Sequence, residues 1–305
     1  MMIGSVILLS LMRALAALPL RFHYACAGFF SWLLKDVLRY RRDVVMANLS
    51  RSFPDKKYDE LKAISDRFYK HFGNVIAETI WFGGCRNPER LRKEHLVEYS
   101  NLEVFEKAYS QGNGVMVLTS HFGNWELLGG CLNYDYREGA ALPEGLEPDD
   151  IIFVYKPLKS KVWDRIIGLN RCAPVLRLDY KGYISTERIL RHALEHRDRK
   201  LVINMLSDQC PYKDSKSNLT LEFMHQRTRS MTGGAALARK FGYSILYMCL
   251  FPVEKGRYEW RFTEICSDAS SMDPEDVMKK YYQLLQADLE AAPWCYLWSH
   301  KRWKR

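Results

Sequence analysis

Apolar and polar positions alternate along this chain with two periods, and the changes from one to the other divide it into elements. Short unbroken apolar runs at Val115 to Thr119, Ile151 to Tyr155, Leu201 to Leu206 and Ser244 to Phe251 read as buried strands, and Tyr258 to Glu264 alternates like an edge strand. Between them the spacing is helical. Leu61, Ile64, Phe68, Phe72, Val75, Ile76 and Ile80 form one stripe over Lys56 to Phe82. Leu102 to Ser110 is a short helix, and another follows Pro157 and ends near Arg171. Tyr183 to His196 is predicted as a helix with Ile184, Ile189, Leu190 and Leu194 inward. Thr232-Gly233-Gly234 opens a helix rich in Ala, and Pro274 to Leu289 is amphipathic with Asp273 as its N-cap. Strands alternating with helices predict one α/β domain, a mixed sheet flanked by helices.

The first 54 residues stand apart. Residues 2 to 20 are apolar except for Arg13, Ala25 to Leu34 form a second apolar run, and Lys35, Arg39, Arg41 and Arg42 follow. A secretory signal would need a positive start and a cleavage site, and neither stands out. A single span would place Arg13 close to its middle. The preferred reading is a helix or helix pair lying in or dipping into a membrane, with the basic cluster at the anionic surface. The competing account is an ordinary buried helical hairpin. Arg42 to Pro54 is read as continuing the helix to a Pro stop, so the division is residues 1–54 against 55–305.

Polar residues gather where strands end. The run from Val115 leads into His121-Phe-Gly-Asn-Trp-Glu126, with a helix beginning around Gly123 to Trp125. Open α/β sheets bind ligands at the carboxyl ends of their strands, near the next helix N-terminus. Two residues five apart on a regular helix point about 140° away from each other. His121 and Glu126 therefore meet only if the first lies in the turn and the second in the first helical turn. In that arrangement the carboxylate holds one imidazole nitrogen and leaves the other as a base. The bland alternative is a His bonded to backbone and a Glu on a solvated face. Leu201 to Leu206 likewise ends in Ser207-Asp208-Gln209, where Asp208 could organise an arginine or an acceptor hydroxyl, or simply cap a turn. Arg137 to Asp150 and Lys213 to Arg229 read as loops, the second holding Phe223, Arg227 and Arg229.

Charge and cysteine usage narrow the class. The balance of 45 basic and 36 acidic residues, +9, suits an anionic partner. Eight cysteines with no Cys-x-x-Cys pair indicate neither a zinc site nor a disulfide framework. No Gly-x-Ser-x-Gly elbow, His-Glu-x-x-His, Walker loop or complete dinucleotide fingerprint occurs. The tail from Pro293 interleaves Trp and Tyr with Lys and Arg, a mixture suited to a membrane–water interface or to single-stranded nucleic acid. With an apolar N-terminus on the same chain, the membrane is preferred. His300 is read as packing within this aromatic segment.

The motif His121-Phe-Gly-Asn-Trp-Glu126 resembles the His-x4-Asp/Glu motif of glycerolipid and lipid A acyltransferases, and in this form the lipid A lauroyl/myristoyl acyltransferase family. The likeness extends to Asn48-Leu49 with Phe53-Pro54, Tyr155-Lys156-Pro157 with Arg171, Asp208-Gln209, Thr232-Gly233 and the Tyr-x-Trp-x-His tail. It implies a glycerolipid acyltransferase-like fold and acyl transfer from acyl carrier protein to a hydroxyl of a lipid A precursor. The place would be the cytoplasmic face of the inner membrane, with no metal, cofactor or nucleic acid. His121 would be the base and Glu126 its orienting carboxylate. Asn124, Lys156, Arg171, Asp208 and Gln209 would bind substrate, Arg171 and Lys156 at a lipid phosphate. Lys156 stands where the family has Arg, which keeps the charge and loses the bidentate fork. Another glycolipid, a phospholipid or an aminolipid as acceptor, and a non-catalytic membrane-surface protein, stay open beside this reading.

Overall fold

The computed structural model describes residues 3–85, 87–173, 180–211 and 219–303. Helices α1 (Ile3–Ala16) and α2 (Leu20–Trp32) are separated at Pro19, and α2 runs on into a π turn, Leu33–Val37. Among the described residues no helix is long and apolar enough to cross a membrane. The expected continuation into Arg42 is broken, because Arg39 and Arg41 both take positive φ before α3 (Arg42–Ser52) begins. Next comes α4 (Tyr58–Phe82), which receives α2 closely: a Cβ on Gly73 would meet the Ala27 carbonyl and Ser31.

The remaining chain alternates strand and helix. In order come α5 (Pro88–Glu94), β1 (Val97–Tyr99), α6 (Leu102–Gln111), β2 (Val115–Thr119) and a 3-10 helix, Trp125–Asn133. They are followed by β3 (Ile151–Tyr155), α7 (Lys161–Arg171), β4 (Tyr183–Ser185), α8 (Ile189–Glu195) and β5 (Val202–Leu206). A hairpin of β6 (Thr220–Phe223) and β7 (Gln226–Arg229) precedes α9 (Gly233–Phe241), β8 (Ser244–Glu254), β9 (Arg257–Cys266) and α10 (Pro274–Ala291). As expected, the Asp273 carboxylate caps α10, accepting from the Glu275 N–H.

The large sheet has the order β1-β9-β8-β2-β5-β3-β4. Only the β8–β9 pair is antiparallel, so the sheet is mixed but predominantly parallel. Alternate side chains of the central strands feed two cores. Met116, Leu118, Ile203 and Ile245 meet Phe68, α9 and α10 on one face. Val115, Val117, Val202 and Leu246 meet Trp81, Phe82, Phe105 and Leu127 on the other.

Three expected elements differ. Tyr183 opens a strand instead of a helix, stacked on Tyr155 at 3.9 Å between ring centroids, and the helix starts only at Ile189. Starting later turns Ile189 and Ala193 inward and leaves Leu190 and Leu194 exposed. Strand β9 is not at the edge, because β1 covers it. The loop expected from Lys213 lies partly outside the described residues, and from Thr220 it is the β6–β7 hairpin.

Candidate active site

Strands β2 and β5 run parallel in register, with Thr119 opposite Leu206. Each chain therefore presents the residue two places further on, His121 and Asp208, at the same height beyond the sheet. The two meet. The His121 ring nitrogen Nδ1 lies 2.7 Å from Asp208 Oδ1, and the His121 backbone N–H donates to Asp208 Oδ2 at 3.0 Å. Both residues are buried. Burial pushes the Asp208 carboxyl up, but the His121 ring, its hydrogen bonds and Arg302 outweigh that and hold it at about 2. An ionised Asp208 selects the Nδ1–H tautomer, which leaves Nε2 with its lone pair. The Gln209 amide nitrogen sits 3.1 Å from that Nε2.

The contact between His121 and Glu126 expected from the motif is replaced by this one. Glu126, in the first turn of the 3-10 helix, takes Arg171 in a fork instead. Arg171 Nε and Nη2 each donate to one carboxylate oxygen at 2.6 Å, and Nη1 donates to the Tyr183 hydroxyl at 3.1 Å. Trp125 Nε1 also donates to Glu126, and its ring stands edge-on to His121 with centroids 5.0 Å apart. Among the described residues, three of the five guanidinium N–H groups of Arg171 are bonded in this way. A narrow cavity of about 40 Å³ lies along Thr119, Trp125, Glu126, Tyr155, Arg171 and Leu206. Lys156 is exposed in the turn after β3 and is not part of that lining.

The turn that carries His121 is gripped from two sides. Gly123 has φ +67° and lies so close to the Leu250 carbonyl that a Cβ has no room. On one side the C-terminal tail pairs with it: Phe122 bridges Tyr296, Gly123 N–H donates to the Cys295 carbonyl at 2.8 Å, and Leu297 N–H donates to the His121 carbonyl at 3.2 Å. Tyr296, Trp298 and Arg302 are buried, so this part of the tail packs inside, against the turn that carries His121, and is not the interfacial belt that its composition suggested. Asn48 on α3 holds the tail in turn, donating to the Trp298 and His300 carbonyls at 2.8 and 3.0 Å.

On the other side stands α4. His71 and Glu78, two turns apart and so on one face, meet the motif. Glu78 accepts from Asn124 Nδ2 at 2.7 Å, while Asn124 Oδ1 caps the 3-10 helix by accepting from Glu126 N–H at 3.2 Å. Asn124 is fully buried with both ends of its amide bonded to protein, which places it under the site instead of facing a substrate. Sequence reading passed over His71 and Glu78. The signal was an ionisable pair set among inward positions, since Glu78 falls three after Val75 and four before Phe82.

Burial holds the His71 imidazole down at about 4, so it is neutral at pH 7 and Nε2–H donates to the Gly123 carbonyl at 3.1 Å. Above its ordinary value of 6.5 the folded and unfolded chains both keep it neutral. As the pH falls, the unfolded chain takes up the proton first. This contribution to stability is whole above 6.5 and is lost as the pH falls through about 4, on the order of 3 kcal/mol in all. His71→Gln is expected to flatten the fall in Tm between these pH values, measured by thermal melts. An unchanged slope would mean that the imidazole titrates as it does in water.

A second cavity, about 250 Å³, opens on the same sheet face beneath the loop of residues 140–146. Tyr99, Phe105, Leu132, Leu142, Trp260 and Phe262 make its walls apolar, and Asn204 of β5 lines both this chamber and the narrow one beside Arg171. The loop expected over residues 137–150 thus roofs a chamber.

Comparison with known proteins identifies the family. The model of a family described as bacterial lipid A biosynthesis acyltransferase matches residues 2–305. The chain is 23% identical over 280 residues to the lipid A biosynthesis palmitoleoyltransferase of Escherichia coli (strain K12), covering 89% of this chain and 81% of that protein. The same identity and coverage relate it to a lipid A biosynthesis acyltransferase of Shigella flexneri.

Proposed function

Because the chain belongs to the bacterial lipid A biosynthesis acyltransferase family, we propose that it moves a fatty acyl group from acyl carrier protein to a hydroxyl of a lipid A precursor, with His121 as the base and Asp208 as its carboxylate. It is an acyltransferase of lipid A biosynthesis; donor, acceptor and residue roles are the reading proposed. The observation that carries the reading is the 2.7 Å contact between His121 Nδ1 and Asp208, which frees Nε2 to accept a proton.

In this reading the acceptor hydroxyl displaces the Gln209 amide and donates to His121 Nε2. As the oxygen attacks the thioester carbonyl, the proton passes to Nε2 and the imidazolium is stabilised by Asp208. The tetrahedral intermediate carries its negative charge close to the N-terminus of the 3-10 helix, whose dipole favours an anion. It collapses by breaking the C–S bond, and the thiolate that leaves takes the proton back from His121. The products are an ester and the carrier thiol. Arg171, steadied by Glu126, offers its remaining N–H groups to a phosphate of the acceptor. The acyl chain runs from the narrow cavity past Asn204 into the apolar chamber, which is larger than the ~150 Å³ that accommodates benzene in an engineered core.

The same reading makes residues 1–54 the membrane-associated part. Leu11, Leu15, Phe22, Phe29 and Trp32 on α1 and α2 are exposed, apolar side chains of the kind that enter a membrane interface. An inner-membrane site on the cytoplasmic face agrees with the basic cluster after them. The acidic carrier protein suits the +9 charge.

The test mixes purified protein with acyl carrier protein thioesters of increasing chain length and a tetra-acylated lipid A precursor, and reads products by mass. The expected result is a gain of one acyl chain, with the rate rising with length until the chamber is filled and then falling. Transfer to a different lipid of a total extract, and none to lipid A, would discard the acceptor and keep the chemistry.

A further inference from the structure

The carboxylate of Glu78 has no place in the reaction just described, and yet it is one of the most enclosed charges in the molecule, with no exposed surface. Burial pushes it above the ordinary carboxyl range, against the pull of its three hydrogen-bond donors. Those donors come from three separate parts of the chain. Tyr24 of α2 donates to Oε1 at 2.8 Å, and Asn124 and Tyr258 donate to Oε2 at 2.7 and 3.0 Å. Lys255 lies over the Tyr24 ring, 5.1 Å from its centroid. A carboxylate sunk this deeply costs several kcal/mol of solvation unless its bonds are well made. An apolar residue would fill the same space on α4 at no such cost.

What the charge does is fix Asn124. An amide between an acceptor and a donor has its orientation set by them: Glu78 takes the Nδ2 end, so Oδ1 must face the Glu126 N–H. That bond starts the 3-10 helix and aims Glu126 at Arg171. We infer that Glu78 and Tyr24 are positioning residues for acyl transfer, joining the N-terminal helical pair to the Glu126–Arg171 clamp through Asn124. The inference rests on the proposed role of that clamp. It makes the exposed apolar helices of the N-terminus part of the active-site framework, because one of their hydroxyls completes the shell of Glu78.

Substituting Glu78→Gln puts an amide donor where three donors already converge, so Asn124 either turns over or loses a partner. The expected result is a fall of about tenfold in kcat/KM for the lipid acceptor, with KM for the acyl donor unchanged. Tyr24→Phe, which removes one hydroxyl at a half-buried site, should lower it about threefold and keeps the test open if Glu78→Gln folds poorly. The deciding readout is a double-mutant cycle with Glu126→Gln. If Glu78 acts through Glu126, then Glu78→Gln or Tyr24→Phe adds little in the Glu126→Gln background. Combining Glu78→Gln with Asn124→Asp restores a donor–acceptor pair of reversed polarity and should recover part of the rate. Multiplicative losses in the cycle, or full activity of Glu78→Gln, would overturn the inference and leave the clamp's role standing. Full activity of Glu126→Gln would remove the clamp from the reaction, and this inference with it.

Discussion

Asp208→Asn is expected to lower kcat for acyl transfer by ~10²–10⁴-fold while leaving KM for the acyl donor unchanged. The size of the effect follows from how the side chain is pinned. One carboxylate oxygen accepts the His121 backbone N–H, and the other accepts from the ring at Nδ1. In an amide, the carbonyl oxygen must keep the backbone bond, because the amide nitrogen has nothing to accept with. The nitrogen then points its own N–H at Nδ1 and forces the proton to Nε2. The base is thereby replaced by a donor, with the ring still in place. The variant also removes an ionised group near the buried Arg302, which draws on Asp208 for charge compensation. Thermal melts should accompany the kinetics for that reason. Steady-state rates with a single acyl donor check the prediction, and a loss below tenfold in a folded variant would show that His121 is not oriented by this carboxylate.

The second large effect should fall on a different parameter. Glu126→Gln keeps one acceptor for Arg171 but removes the charge that holds the guanidinium in its fork. Burial disfavours the Arg171 charge, and Glu126 is the main group that offsets this. With the pair weakened, KM for the phosphorylated acceptor is expected to rise by ~10–100-fold, with kcat falling less, since ~1.4–2.8 kcal/mol of binding is removed. Stability should drop by ~1–3 kcal/mol, because a partly buried cation loses its partner. Measuring acceptor and donor KM separately for both variants tests the division of labour. If Glu126→Gln instead matches Asp208→Asn in kcat at an unchanged acceptor KM, Glu126 belongs with the base after all.

Much of this architecture was written in the order of residues. The strand Val115–Thr119 and the two expected from Ile151 and Ser244 are where unbroken apolar runs put them, and α10 starts at its Asp273 cap. The position of the site at the strand ends follows from the same pattern. What a one-dimensional reading could not supply was which carboxylate meets the imidazole. His121 and Glu126 are close in sequence, but a turn followed by a tight 3-10 helix separates them. Asp208 is far away in sequence and is brought to His121 only by the register of β2 against β5. In hindsight both strands end in polar residues at equal distance from their paired positions, which is the trace of that register. The tail was misjudged for a similar reason. Trp and Tyr beside Lys and Arg have the composition of an interfacial belt, and only the fold, with its ladder from Cys295 to Leu297, puts Tyr296, Trp298 and Arg302 inside.

That ladder also ties two distant parts of the chain into one cooperative unit. Residues Cys295–Leu297 supply the bonds that hold the Phe122–Gly123 turn on one side, and Asn48 holds the segment that follows them. A substitution that frees the tail from α3 therefore loosens the His121 carbonyl as well, without touching any residue of the motif.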